Sequence, residues 1–152
     1  MPVDLPTLTI ARIARLLENS GPTEISLPQY RVLGLLSTGD ERATQLAARL
    51  SVAKPTLTAL VDSLVERGFI ARHTLDGDRR SVSMSITPAG RTALRRTANG
   101  LRDALDDVIG RCPHPDAVLV ALDELRQALD ARWLAKVAES DAVKPRVGAV
   151  PS

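Results

Sequence analysis

The stretch from 53 to 86 reads AKPTLTALVDSLVERGFIARHTLDGDRRSVSMSI, and its hydrophobic period changes twice along the way. Leu57, Leu60, Val61, Leu64 and Val65 recur at helical spacing, which predicts an amphipathic helix beginning near Lys54. Stepping about 100° per residue leaves Pro55, Thr58, Ala59, Asp62, Ser63 and Glu66 on the opposite side. Gly68 then stops the helix, being suited to a left-handed backbone. Residues 69–75 read as a strand, Asp76-Gly77 as a hairpin turn, and residues 81–86 as a second strand in which serines alternate with Val82, Met84 and Ile86. A helix followed directly by a hairpin with one packed face leaves few folds open.

The flanking residues narrow them further. Residues 43–50, ATQLAARL, make a short helix with Leu46, Ala47 and Leu50 inward, and the tight connection Ser51-Val52 joins it to the next, a helix-turn-helix pattern. Upstream, Ser26 and Gln29 form a capping box with Pro28 in the first turn, ahead of an apolar face of Val32, Leu33, Leu35 and Leu36. Leu8, Ile10, Ile13, Leu16 and Leu17 predict an earlier helix over 5–19, with its element closing by residue 20. Downstream, Thr87-Pro88 starts a long helix, threonine as N-cap and proline at the first position. Its Leu94, Ala98, Leu101, Leu105 and Val108 form a seam for a partner helix. Gly110 and Cys112-Pro113-His114-Pro115 break it, and a second long helix over about 116–137 carries Val118, Leu122, Leu125, Leu129 and Trp133 on one face. The tail 138–152, rich in proline, glycine and small residues, reads as disordered. The fold class expected is mainly α with a small β-wing (α+β).

Charge is distributed unevenly. Residues 1–52 hold five arginines and five acids, residues 53–96 hold eight basic and four acidic side chains (net +4), and residues 97–152 hold seven and nine. A local basic excess is the footprint of a phosphate backbone. No apolar run approaches the roughly 18 residues of a membrane span. The N-terminus, with Asp4 and no continuous apolar stretch, does not read as a signal peptide, so a cytoplasmic location is expected. A single cysteine, Cys112, excludes an internal disulfide framework, and His73 and His114 lack a supporting carboxylate cluster, so no metal and no cofactor are expected. Nor does the chain show a nucleophile-base pair or a phosphate-cradling glycine loop, so no enzymatic activity is expected.

Taken in order, LPQYRVLGLLS, TQLAARLSVAKPTLTALVDSLVERGFI and DGDRRSVSMSITPAGR make residues 5–137 resemble the MarR family of bacterial transcription regulators. The Asp78-Arg79-Arg80 turn, followed by a strand and a Thr-Pro-x-Gly helix start, is the most specific part of the match. The resemblance implies one chain over 1–152 with a winged helix-turn-helix lobe at 26–87 and dimerisation helices at 5–20 and 88–137. It implies a homodimer on double-stranded DNA, a repressor at a pseudo-palindromic operator, and no membrane partner. Carried over residue by residue, Lys54 meets phosphate, Thr56 and Thr58 meet groove or phosphate, and Arg79 or Arg80 enters the minor groove. Asp78 orients a neighbouring arginine, since carboxylate and phosphate repel. Many relatives respond to small aromatic acids, which implies a small-molecule effector, with Leu16, Tyr30 and Arg15 as candidate lining residues.

The chain departs from the family at Ala53, which cannot cap the helix, and at Ala59, which cannot make a bidentate contact to guanine. Base reading then shifts to methyl contacts, Ser63 and DNA shape. The same two alanines motivate a second function class, a winged-helix protein-interaction module without sequence-specific DNA binding. Cys112 reads as an incidental thiol, since no resolving cysteine exists, and Arg91, Arg95 and Arg96 stay unassigned.

Overall fold

The computed structural model describes residues 4–20, 24–74 and 82–143. Its elements run α1 (Leu5–Ser20), α2 (Leu27–Leu36), β1 (Glu41–Arg42), α3 (Ala43–Leu50), α4 (Lys54–Glu66), β2 (Ile70–Thr74), β3 (Val82–Ile86), α5 (Pro88–Ile109) and α6 (Pro115–Val143). The chain divides into two compact units, Met1–Arg111 and Cys112–Ser152.

In the first unit, local signals set the helix ends. The Ser26 hydroxyl accepts from the Gln29 N–H at 3.3 Å while Gln29 Oε1 accepts from the Ser26 N–H at 3.0 Å, so the capping box forms as expected. Thr87 does more than cap. Its Oγ1 accepts from the Gly90 N–H at 3.0 Å and donates to the Gly68 carbonyl at 2.6 Å, tying the start of α5 to the end of α4. Gly68 takes φ +74°, where a side chain would be strained.

The sheet has three strands, antiparallel, in the order β1-β3-β2. The two wing strands pair as expected, Ile70 opposite Ile86 and Thr74 opposite Val82, and the Asp76-Gly77 turn lies outside the described residues. The third strand is new: Glu41 and Arg42 pair with Met84 and Ser83. Two residues carry no readable period, and their strand character exists only because β3 offers an edge.

The core gathers the inward faces of α2, α3, α4 and the sheet, with Leu33, Leu46 and Leu64 fully buried beside Ile70, Met84 and Ile86. Met84 and Ile86 point in and Ser83 and Ser85 do not reach full burial, matching the alternation. α1 packs along α5 yet buries no residue, with Leu8 at 46% and Ile10 at 62% exposure.

The connection between α3 and α4 turns on Ser51, whose φ of 54° and ψ of 43° place it in the left-handed region as the α3 C-cap. A left-handed L-residue costs roughly 1–2 kcal/mol, part of which glycine returns through its own larger chain entropy. Ser51→Gly is expected to raise stability by about 0.5–1 kcal/mol, read from urea or thermal melts; a loss of stability would mean that the hydroxyl anchors the turn.

The second unit contains α6. The helix expected to end near Val137 continues to Val143, so residues 138–143 are helical rather than part of a disordered tail. Ala138 to Val143 include no glycine or proline, and the first breaker is Pro145, which disfavours helix at the residue before it. The tail beyond, 144–152, lies outside the described residues. One face of α6 is laced by Arg126, which reaches Asp123 at 2.8 Å and Asp130 at 3.1 Å. That contact and a donation from Gln127 hold the Asp123 carboxyl below its ordinary pKa. The apolar side chains of α6 stay open, with Val120 at 59%, Leu125 at 54% and Leu129 at 65% exposure.

Candidate nucleic-acid interface

The helix-turn-helix is held by side chains that reach between helices. From α2, Gln29 completes its capping box with one amide atom and uses the other: Nε2 donates to Ser63 Oγ on α4 at 3.1 Å. Arg31 donates to the Leu50 carbonyl at 3.2 Å, satisfying an orphan acceptor at the end of α3. Leu57, Val61 and Leu64 are the buried face of α4. Together these contacts set α4 at a fixed angle with its opposite face in water.

That opposite face carries Lys54, Pro55, Thr56, Thr58, Ala59, Asp62 and Glu66, all exposed. Ala53 stands at the N-cap with no side-chain hydrogen bond, so the first turn of α4 is left uncapped by the protein itself. Lys54 and Thr56 sit at this end, where a phosphate oxygen would find both a cation and backbone donors.

Two expected contact residues are placed differently. Ser63 is half-buried and turned to Gln29. A groove contact from it would break that bond. On the helical wheel it lies at the flank of the outward side, and the nearness of α2 decides which way it serves. Thr58 is exposed, but its hydroxyl donates to the Lys54 carbonyl one turn back at 3.0 Å. It is therefore an acceptor toward anything outside unless that bond is given up, at about 1 kcal/mol.

Arg72 is the residue that sequence reasoning missed. It extends from β2 and forms an ion pair with Asp62 of α4, joining the wing strand to the outward face of the helix. The basic charge was visible in the sequence; the partner ten residues back was not, because nothing local links a helix position to a strand position. On β2, His73 Nε2 and Ser85 Oγ share a hydrogen bond at 2.6 Å. The wing tip with Asp78, Arg79 and Arg80 lies outside the described residues.

Between the start of α3, α4 and the two wing strands opens a cavity of about 290 Å³. Leu57, Val61, Val82 and Met84 form apolar walls, and Lys54, Thr58 and Arg72 border it with polar groups. The candidate effector-lining residues lie elsewhere: Arg15 is exposed on α1 and pairs with Glu18 at 3.2 Å, Leu16 is half-buried there, and Tyr30 packs against the core of the lobe. Among the described residues no helix is long and apolar enough to cross a membrane.

Known proteins share this fold. The chain is similar to the HTH-type transcriptional repressor YetL of Bacillus subtilis, 34% identical over 79 residues that make up 50% of this chain and 47% of YetL. The aligned part spans about half the length of the curated relatives it matches. Among solved structures, a point mutant of MarR from E. coli complexed with operator DNA superposes with a TM-score of 0.65 at 24% identity, over 82% of this chain and 91% of that one. Bordetella bronchiseptica BpsR, described with a mechanism for regulation of its DNA binding by 6-hydroxynicotinic acid, superposes at 0.66 and 20% identity, over 82% and 95%. At such identities the likeness concerns the fold. The family profile described as the MarR family matches residues 25–82, the stretch that runs from the buried Ile25 through α4 to the first residue of β3. Over that lobe the chain is similar to the MarR family.

Proposed function

We propose that the protein is a cytoplasmic, homodimeric DNA-binding transcription regulator, a repressor that places α4 in the major groove of a pseudo-palindromic operator. The observation that carries this reading is the way Gln29 ties α4, and Arg31 the end of α3, to α2, so that the uncapped end of α4, with Lys54 and Thr56, projects beside the wing strands. Dimerisation is supported by the exposed apolar side chains of α6, which a second copy would cover. A dimer would bring two recognition helices to half-sites one DNA turn apart.

Lys54 and Arg79 or Arg80 serve as backbone and minor-groove contacts in this proposal, with Thr56 on groove or phosphate and Asp78 orienting a wing arginine. The effector we propose is a small aromatic acid, the class to which the 6-hydroxynicotinic acid of BpsR belongs. In this chain the cavity beside α4 suits it better than Leu16, Tyr30 and Arg15 do: apolar walls accept a ring, while Lys54 and Arg72 answer a carboxylate. Such a ligand would act by preferring one arrangement of α4 and the wing over another.

Duplex binding measured over a salt series is expected to fall steeply, with a log-log slope that becomes shallower by about one for each phosphate contact removed. Arg79→Ala combined with Arg80→Ala is expected to weaken binding by tenfold or more, on the order of 1–3 kcal/mol. Unchanged affinity in the double variant would remove the wing from the interface. The second reading, a winged-helix protein-interaction module, draws on Ala53 and Ala59, which give the helix no cap and no bidentate donor. Competition with random duplex separates the two, since a specificity ratio near one fits only the module.

A further inference from the structure

Beyond Lys54 and Thr56 in its first turn, the outward face of α4 is short of hydrogen-bond donors. Pro55, Ala59, Asp62 and Glu66 are exposed there and none can donate from its side chain at neutral pH. The Thr58 proton is engaged by the Lys54 carbonyl, and Ser63 is turned to Gln29. Guanine presents only acceptors on its major-groove edge, and so does thymine apart from its methyl group. Past the first turn, a face of this kind reads amino donors and methyl groups instead.

Asp62 is the acceptor placed to do so. It shares a face with Ala59 and Glu66 at steps of three and four, and its side chain is 55% exposed. Arg72 holds it through Oδ1, and among the described residues Oδ2 accepts no hydrogen bond. The pairing has two effects. It cancels a charge that the phosphates would otherwise repel, and it restricts the carboxylate to one orientation before DNA arrives.

We infer that Asp62 is a specificity-determining residue, accepting a hydrogen bond from the N4 amino group of a cytosine in each half-site, with Arg72 as its positioning residue. The inference rests on the DNA-binding reading above. Cytosine is favoured over adenine because the adenine amino group is flanked by the N7 acceptor, which repels the second carboxylate oxygen.

The test is selection from a random duplex library with the full chain, wild type, Asp62→Asn and Arg72→Gln, at one salt concentration, alongside melting temperatures. Wild type is expected to enrich a fixed cytosine at one position of each half-site. Asp62→Asn is expected to replace it by adenine, since an amide both accepts from N6 and donates to N7, with discrimination shifting roughly tenfold and the melting temperature unchanged. Arg72→Gln is expected to weaken the cytosine preference without substituting adenine. If Asp62→Asn lowers affinity for every sequence alike and keeps the wild-type pattern, Asp62 is only a structural tie and the inference is overturned. The same follows if wild type enriches half-sites without a fixed cytosine. A uniform loss in Arg72→Gln overturns its positioning role. Failure of wild type to bind duplex or to enrich any sequence overturns the DNA-binding reading itself, a result distinguishable from the others.

Discussion

Gly90→Ala is expected to destabilise the first unit by about 2 kcal/mol or more, although alanine is the better helix former. A Cβ at this position would lie 2.2 Å from the Phe69 carbonyl oxygen and 2.9 Å from Ile86 Cγ1. The oxygen belongs to the backbone and already accepts the Thr87 N–H at 3.0 Å, so it cannot swing aside like the end of a long side chain. Overpacking of this kind costs typically about 1–3 kcal/mol and sometimes more, whereas the helix propensity gained from glycine to alanine is worth about 1 kcal/mol. The clash wins. Gly34→Ala provides the contrast: it lies within α2, nothing approaches its added Cβ within 4 Å, and it should gain about 0.5–1 kcal/mol. Thermal melts of the two variants should therefore move in opposite directions. If Gly90→Ala melts with wild type, the close seat of α5 on Phe69 is not a constraint on the fold.

Leu64→Ala carries the other large effect, a loss of about 2–5 kcal/mol from the cavity left in the core. Leu64 has no exposed surface and anchors α4 together with Leu57 and Val61. For a chain of this length each kcal/mol moves the melting temperature by roughly 2–4 °C, so a fall of about 4–20 °C is expected. The substitution also separates folding from binding when set beside Thr56→Ala. Thr56 is exposed, so its loss should leave the melt in place while weakening DNA binding. A Leu64→Ala protein that keeps its melting temperature would mean that α4 is held by the Gln29–Ser63 hydrogen bond to α2 rather than by burial.

How much of this was legible beforehand depended on the range of the interaction. The Ser26-Gln29 box, the Thr87 cap, Gly68 and the alternation of Val82, Met84 and Ile86 were all readable, and each forms as expected. Pro55, Thr58, Ala59, Asp62 and Glu66 come out on the exposed side of α4 as the 100° stepping required, while Ser63 is half-buried. The Thr-Pro-Ala-Gly start of α5 was legible as a helix beginning, but the reason for its glycine was not, because the Phe69 carbonyl arrives from another element. β1 was invisible for a similar reason. Its two residues have no pattern of their own and become a strand by pairing with Met84 and Ser83.

The candidate interface divides along the same line. By itself the sequence determined the order of the helices and the two wing strands, the caps that start α2 and α5, the inward face of α4 and the local basic excess. Those follow from hydrogen bonds and apolar spacing within one or two turns of chain, which any segment carries with it. Only the tertiary structure decided that Ser63 belongs to Gln29, that Arg72 meets Asp62, and that an apolar cavity opens beside Lys54. These depend on where α2 and the wing strands dock against α4. Docking is set by the summed burial of a dozen core side chains, and no spacing of residues within a single element encodes it.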